Sequence, residues 1–164
     1  MNVAADSFPL LILAKLGCFD LLPRIDPRIY ISPAVHNEVV VAGAELPGAE
    51  EVANAAWIDV KPLQNQADLL TAQEAYPLGL GEISTILLAK EIPADEILLD
   101  DYNARKLARA EGFPVRGSVG LLEAFYTRGE LTDHRTVFRE LLAHRYMDPR
   151  LLDLRLRSLN LPSL

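Results

Sequence analysis

Two adjacent aspartates, Asp100 and Asp101, end a short apolar run at residues 97–99 and precede a basic segment with helical propensity. Neighbouring carboxylates repel each other, so a pair at the end of a buried strand is expected either to cap a helix in solvent or to help hold a cation. A third aspartate, Asp6, follows the apolar residues 2–5. Whether these side chains bind a cation depends on which other carboxylates lie beside them.

Two glutamates share one side of a predicted helix with apolar residues. Glu38 is in the segment VHNEVVV, and Glu82 opens the segment EISTILLAKEI. Taken singly, Asp6 and Asp101 could be helix caps, Glu82 could complement a helix dipole, and Glu38 could reach water or a basic partner. Taken together, carboxylates at strand ends and on inward helix margins predict an oxygen-only site, the kind that Mg²⁺ or Mn²⁺ prefers.

Strand-like and helix-like segments alternate along the chain and must position these carboxylates. Strands are predicted at 2–5, 29–31, 57–61, 96–99 and 113–117, and helices at 9–16, 33–42, 47–55, 65–76, 82–92, 103–112, 119–128, 133–144 and 149–158. The alternation predicts a three-layer α/β/α sandwich with a parallel sheet of about five strands in the order 3-2-1-4-5. In that order the first and fourth strands are neighbours, so Asp6 and the Asp100–Asp101 pair would meet at the carboxyl edge.

The composition is that of one globular domain, 1–164, with a core at about 2–130 and a C-terminal helical extension at about 131–164. The chain is 50% hydrophobic, which is enough for one substantial core. Its net charge of −7 excludes binding of nucleic acid by bulk attraction, so such a role needs metal ions or a local basic patch. From residue 134 onward 6 Arg stand against 3 acidic residues, which indicates either a mixed-charge exposed helix face or a basic flank beside the acidic site.

The sequence also suggests where the protein works. Cys18 is the single cysteine, which excludes a disulfide framework and a Cys-based zinc site and is typical of the cytoplasm. No apolar run approaches the ~20 residues that span a bilayer, so no membrane partner is expected. The segment FPLLILAKLGC lacks a basic region before it, and we do not expect it to be a signal peptide.

Four segments, in order, resemble the PIN-domain family, and within it the VapC-like toxins of bacterial and archaeal toxin–antitoxin pairs. They are VAADSFPLLILAKLGCFDLLPRI, IYISPAVHNEVV, LGLGEISTILLAKE and ILLDDYNARKLARAEGFPVRGSVGLL, and the resemblance spans roughly residues 2 to 130. It implies a metal-dependent endoribonuclease, the toxin of such a pair, that cuts RNA with Mg²⁺ or Mn²⁺. It further implies an antitoxin partner, a homodimer and a cytoplasmic location.

Carried over by position, the resemblance makes Asp6, Glu38, Glu82 and Asp101 the catalytic metal-binding cluster, with Asp100 as neighbour or substitute ligand. It leaves open which of the two adjacent aspartates faces the metal.

Weaker expectations concern the side chains around the cluster. Ser7 would hydrogen-bond near the site, and Arg105 and Arg116 could contact substrate phosphates. Arg105 could equally be a surface helix residue that pairs with Asp101, four residues earlier. Tyr102 and Tyr146 could stack on bases, but ordinary packing is the expectation for both.

Two departures from the family pattern leave a second function open. Phe8 stands where similar proteins carry a small hydroxyl residue, and Gly79 stands where they often carry Asp. A degenerate, non-catalytic PIN-like module for binding or dimerisation is therefore the alternative. A receiver-like phosphoacceptor domain fits less well, because it needs its acidic pair after the first strand and a Lys after the last, whereas this chain has one Asp there and Arg116 near the fifth strand.

Overall fold

The computed structural model describes residues 1–144 and 147–163. Its five strands form one parallel sheet in the order β3-β2-β1-β4-β5. The strands are β1 (Val3–Ala5), β2 (Ile29–Ile31), β3 (Ile58–Val60), β4 (Glu96–Leu98) and β5 (Val115–Arg116). The predicted fold class and strand order are confirmed. Tyr146, which we expected to pack, lies outside the described residues.

Helices follow the strands as predicted, with ends shifted by a few residues. They are α1 (Ser7–Lys15), α2 (Leu22–Ile25), α3 (Pro33–His36), α4 (Ala49–Asn54), α5 (Gln66–Ala75), α6 (Leu80–Glu91), α7 (Tyr102–Ala110), α8 (Ser118–Thr127), α9 (His134–Ala143) and α10 (Pro149–Ser158). A 3₁₀ turn at Phe19–Leu21 and the short α2 were not predicted.

The single helix predicted at 33–42 is wrong in its second half. It consists of α3 and then one turn of π-helix, Asn37–Val41, in which the Ala42 N–H donates to the Asn37 carbonyl at 2.7 Å. Ser32 caps α3 as its position before a proline suggests, since its Oγ accepts from the Val35 N–H. The wider π turn carries Glu38 and so sets the direction of its side chain.

All of β1 and the residues Ile97 and Leu98 of β4 are buried, because a parallel sheet is covered by helices on both faces. On one face, apolar residues of these strands pack against α6 and α7. That cluster comprises Ala4, Leu63, Ile86, Leu88, Ala89, Ile92, Ile97, Leu99, Ala104 and Ala108. The apolar runs that predicted strands at 2–5 and 96–99 thus form the centre of the sheet, and the carboxylates lie just beyond their ends.

The chain divides into two compact units, Met1–Leu121 and Leu122–Leu164. The first contains the whole sheet. In the second, Arg155 pairs with Glu123, and the buried His134 ring lies 4.2 Å from the Tyr126 ring. The boundary expected near residue 130 falls inside the second unit. Among the described residues, no helix has the length and apolar character needed to cross a membrane.

Candidate metal centre

Asp6 ends β1 and lies at the N-cap position of α1, but its side chain makes no capping hydrogen bond. The simple interpretation of Asp6 as a helix cap is therefore wrong. Asp6 is only 4% exposed, and within residues 1–144 and 147–163 its Oδ1 atom has no hydrogen-bond partner. An unpartnered buried carboxylate oxygen is costly unless something absent from the protein chain satisfies it.

The electrostatics of Asp6 follow from this position. Burial raises the pKa of Asp6 to about 7, against the lowering effect of a hydrogen bond from the Ser7 backbone. Three neighbouring carboxylates raise it further, those of Glu82, Glu38 and Asp100. Asp6 is therefore a group that a divalent cation would ionise and stabilise.

Glu38 and Asp6 meet above Gly81, the second residue of α6. A Cβ atom added at Gly81 would lie 2.7 Å from each carboxylate oxygen of Glu38 and 3.0 Å from Oδ1 of Asp6. Glu38 itself is fixed by Ser7, whose Oγ donates to its Oε2 at 2.8 Å. The missing side chain of Gly81 leaves a small space that three carboxylate oxygens border.

Glu82 lies one residue further along α6. Its Oε2 accepts a hydrogen bond from the Gly79 N–H at 2.9 Å, which closes the first turn of the helix as in a capping box. Burial raises the pKa of Glu82, the Gly79 hydrogen bond lowers it, and the charges of Asp101 and Glu38 raise it. Glu82 therefore lies in the first turn of a helix and beside other carboxylates, which are the two environments considered for it from the sequence.

The two adjacent aspartates have different environments. Asp100 is anchored by Ser118, whose N–H donates to Oδ1 at 2.7 Å and whose Oγ donates to Oδ2. Burial raises the pKa of Asp100, while the Ser118 hydrogen bonds and the nearby Arg105 lower it. Asp101 is exposed and caps α7, with Oδ1 accepting from the Ala104 N–H at 2.8 Å. Asp100 is thus electrostatically coupled to Asp6, and Asp101 to Glu82.

A network of buried hydroxyl groups lies beneath the first turn of α6, and sequence reasoning did not predict it. Ser84 and Thr85 both donate to the Gly81 carbonyl, at 2.9 and 2.8 Å, and Ser84 Oγ lies 2.7 Å from Ser32 Oγ. These bonds hold the first turn of α6 where the carboxylates meet. The available signal was a pair of small polar residues inside the apolar helix EISTILLAKEI.

The two arginines proposed as phosphate contacts have partners within the fold. Arg116 forms an ion pair with Glu96, at 3.0 Å between Nε and Oε1, and Glu96 begins β4 rather than ending it. The Nη1 atom of Arg105 lies 3.4 Å from the Leu99 carbonyl, next to Asp100. Arg105 is therefore near the acidic cluster, whereas the Arg116 side chain forms its ion pair at the first residue of β4, away from the carboxyl end of that strand. Their substrate contacts stay predictions.

An apolar groove with a volume of about 390 Å³ lies elsewhere, between α5, α6 and α7. Its lining includes Leu87, Leu107 and an ion pair between Lys90 and Glu111, but none of the cluster carboxylates. The acidic cluster is therefore not part of this groove.

The residues of the cluster fit a hard divalent cation in chemistry. No group of three or more His, Cys, Asp or Glu in the described part of the chain is arranged to hold a metal ion as it stands. Mg²⁺ is commonly held by only one or two carboxylates and keeps several waters. Asp6 and Glu38 supply that minimum, with oxygens on the same space above Gly81. Glu82 and Asp100 lie close enough to raise the pKa of Asp6.

A comparison with protein families matches residues 2–160 to a family model described as DUF3368: PIN domain. No curated protein matches the chain. The matched range contains the whole sheet, α1 to α10 and every carboxylate of the acidic cluster.

Proposed function

The chain belongs to the PIN-domain family, whose members are generally nucleases, and from this membership we propose that it is a divalent-metal-dependent endoribonuclease. The observation that carries the proposal is the buried Asp6 carboxylate. Its unpartnered Oδ1 shares the space above Gly81 with both oxygens of Glu38. A receiver-like function is set aside, because family membership and the position of the acidic pair both oppose it.

Asp6 and Glu38 would hold Mg²⁺ or Mn²⁺ directly. Bound there, the ion lowers the pKa of water and stabilises charge on a scissile phosphate. Asp100, held by Ser118, replaces Asp101 as the strand-end carboxylate coupled to Asp6. Asp101 contributes its charge beside Glu82 while it caps α7.

Glu82 is the candidate proton acceptor. One of its oxygens is held by the Gly79 N–H, which fixes the carboxylate, and burial raises its pKa toward the range useful for a general base. Ser7 keeps Glu38 oriented, and the hydroxyls of Ser84 and Thr85 keep the first turn of α6 in place.

The experiment is RNA cleavage with Mg²⁺ or Mn²⁺ on a panel of structured and unstructured RNAs. Wild type is compared with Asp6→Asn and Glu82→Gln, which keep side-chain size and remove charge. Asp20→Asn and Glu74→Gln are matched controls on exposed side chains outside the cluster. We expect cleavage by wild type and both controls, and a loss of more than about 100-fold in the two cluster variants. Equal rates in all five proteins would refute the proposal.

The segment resemblance further supports the finer proposal that this ribonuclease is a VapC-like toxin, a cytoplasmic homodimer inhibited by an antitoxin. Growth arrest on expression, relieved by coexpression of a small neighbouring gene and absent in Asp6→Asn, would support it. Arrest that persists in Asp6→Asn would contradict it.

The alternative, a non-catalytic PIN-like binding or dimerisation module, is favoured by one observation. Gly79 has ordinary extended backbone, and a Cβ atom there would make only van der Waals contact, 3.6 Å from Glu82. The backbone does not require glycine there, so the Asp that similar proteins often carry at this position is absent without a conformational reason. Absence of metal binding by titration calorimetry, together with no cleavage, would select this module.

A further inference from the structure

His134 is a buried imidazole in the second compact unit of the chain, Leu122–Leu164. It is the first residue of α9 and is only 6% exposed. The centre of its ring lies 4.2 Å from that of Tyr126 on α8, and the Phe138 ring meets it edge-on at 5.8 Å. Within residues 1–144 and 147–163, neither Nδ1 nor Nε2 of His134 has a hydrogen-bond partner. No step of the proposed nuclease function uses this ring.

A histidine at this position costs stability. A neutral imidazole carries one N–H donor and one acceptor nitrogen, and His134 leaves both unsatisfied among aromatic rings. A phenylalanine ring between Tyr126 and Phe138 would have no polar atom to satisfy. Protonation raises the cost further, because an imidazolium ring has two N–H donors and a buried positive charge. The folded unit therefore holds His134 in its neutral form.

The groups beside His134 do not compensate a positive charge on its ring. Burial lowers the pKa of His134, the charge of Arg135 lowers it further, and the charge of Asp133 raises it. From α8, the titratable group against the ring is the Tyr126 phenol. The Asp133 carboxylate caps α9, accepting from the Thr136 N–H at 3.0 Å and from the Thr136 hydroxyl at 2.6 Å. Because these bonds use both of its oxygens, turning toward a protonated ring would weaken the cap.

His134 also stands between two contacts that hold this unit together. On one side, Asp133 fixes the start of α9. On the other side, Arg135 donates to the Pro162 carbonyl and, at 2.9 Å, to the Ser163 carbonyl, in the segment that follows α10. A displacement of the first turn of α9 would therefore disturb both the helix cap and the attachment of the C-terminal segment.

We propose that His134 is an acid-sensitive latch, a contact that holds α9 on α8 and that a proton opens. On acidification the ring takes up a proton from solvent by leaving its place between Tyr126 and Phe138, so that α9 loosens from α8 and the C-terminal segment is released. The sheet belongs to the first unit, which contains none of these contacts, and stays folded. This inference is independent of the proposed nuclease function.

The direction of the effect follows from proton linkage. An imidazole with its ordinary pKa of 6.5 in the opened unit and a lower pKa in the closed unit binds more protons when the unit is open. The closed unit is therefore most stable above this ordinary pKa and loses stability as the pH falls below it. Uptake of one proton changes the opening equilibrium by at most about 10-fold per pH unit, which is about 30-fold over the first 1.5 units.

The test is amide hydrogen exchange of the full-length chain between about pH 7.5 and about pH 5, expressed as protection factors, which remove the direct effect of pH on exchange. Wild type is compared with His134→Phe, which keeps a ring and removes the titrating group, and with His134→Gln, which keeps polarity without taking up a proton. His144→Gln replaces an exposed histidine of the same unit and is the control. Fluorescence of Trp57, the single tryptophan, reports on the first unit.

We expect the protection of α9 and α10 to fall by up to about 30-fold in wild type and in His144→Gln, and to stay constant in both His134 variants, with unchanged Trp57 fluorescence. An equal fall in either His134 variant, or constant protection in wild type, would overturn the latch. A loss of protection in the sheet that parallels the loss in α9 would overturn it as well, because the two units would then open as one.

A proton NMR titration of wild type tests the same inference without any substitution, in case neither His134 variant folds. The latch requires the His134 ring signals to remain those of neutral imidazole for as long as the signals of folded α9 persist. A ring that becomes protonated while those signals persist would show that the folded unit accommodates the charge, and would refute the latch.

Discussion

Replacing Asp6 by asparagine in the metal-free protein removes a charge from a place where burial raises the pKa of Asp6 to about 7. We expect Asp6→Asn to gain stability relative to wild type as the pH rises from about 4 to about 8. The reason is that ionised Asp6 is surrounded by Glu38, Glu82 and Asp100 and lacks the cation that would offset them.

The sign and size follow from the change in pKa on folding. A carboxyl with its ordinary pKa of 3.8 when unfolded and about 7 when folded binds more protons in the native state between those values. Native stability therefore falls as the pH rises through this range and stays lower above it. The full difference corresponds to about 4 kcal/mol, an upper limit because local relaxation lets water reach the charge.

The assay is urea unfolding with a chelator at intervals of pH, followed by circular dichroism. The pH dependence of the difference between the two proteins isolates the ionisation, because the asparagine amide adds its own packing cost at every pH. Asp20→Asn serves as the exposed control and should follow wild type throughout.

Divalent metal should reverse the effect. An excess of Mn²⁺ at about 100 times its Kd stabilises wild type by about 2.7 kcal/mol, and Asp6→Asn by much less. A difference between wild type and Asp6→Asn that does not change with pH would refute the reasoning, since it would mean that water already solvates the Asp6 carboxylate.

Three further predictions concern the groups around Asp6. Gly81→Ala places a methyl group against three carboxylate oxygens, so it should weaken Mn²⁺ binding by about 10- to 100-fold without loss of helix stability. Gly79→Ala makes only ordinary contacts and is the control, which should bind Mn²⁺ like wild type. Titration calorimetry measures both affinities. Ser118→Ala removes a hydroxyl donor from Asp100, so the free energy of unfolding should fall by about 1–3 kcal/mol. Because the Ser118 hydroxyl lowers the pKa of Asp100, the acidic limb of the cleavage pH profile should also move to higher pH. Asp100→Asn should reduce cleavage more than about 100-fold, and Asp101→Asn less than about 10-fold with unchanged stability, because asparagine caps a helix as well as aspartate does.

The contradicting results are equally specific. Normal Mn²⁺ affinity in Gly81→Ala would place the metal away from the space above that residue. An unshifted pH profile in Ser118→Ala would mean that Asp100 takes no part in cleavage. A larger loss in Asp101→Asn than in Asp100→Asn would restore the exposed aspartate as the metal ligand.

Sequence reasoning succeeded where hydrophobic pattern determines structure. The apolar runs at 2–5 and 96–99 cannot be exposed, so they form the central strands of a parallel sheet, and the strand order follows from alternation with helices. The same rule brings Asp6 and Asp100 to one edge. Ser32 and Pro33 carried an explicit helix-start signal, and the structure has that cap.

Sequence reasoning was insufficient where a feature depends on the direction in which one side chain points. Strand residues alternate in direction, so the roles of Asp100 and Asp101 depend on where β4 ends, which is known from sequence only to within a residue or two. The π turn that carries Glu38 depends on how α3 packs, and no local pattern in VHNEVVV distinguishes it from an ordinary helical turn. Tyr102 is exposed rather than packed as expected, because its exposure depends on what other segments leave uncovered.

The anchoring of Asp100 by Ser118 affects when the acidic cluster can form while the chain is being synthesised. The cluster draws on segments from Asp6 to Asp101, and its strand-end carboxylate accepts two hydrogen bonds from Ser118, a residue 18 positions further along the chain. Parallel pairs such as β1 with β4 close long loops, so they form late. A nascent chain on the ribosome therefore cannot complete the centre until Ser118 has emerged, so the ribonuclease activity that we propose would be withheld during most of translation.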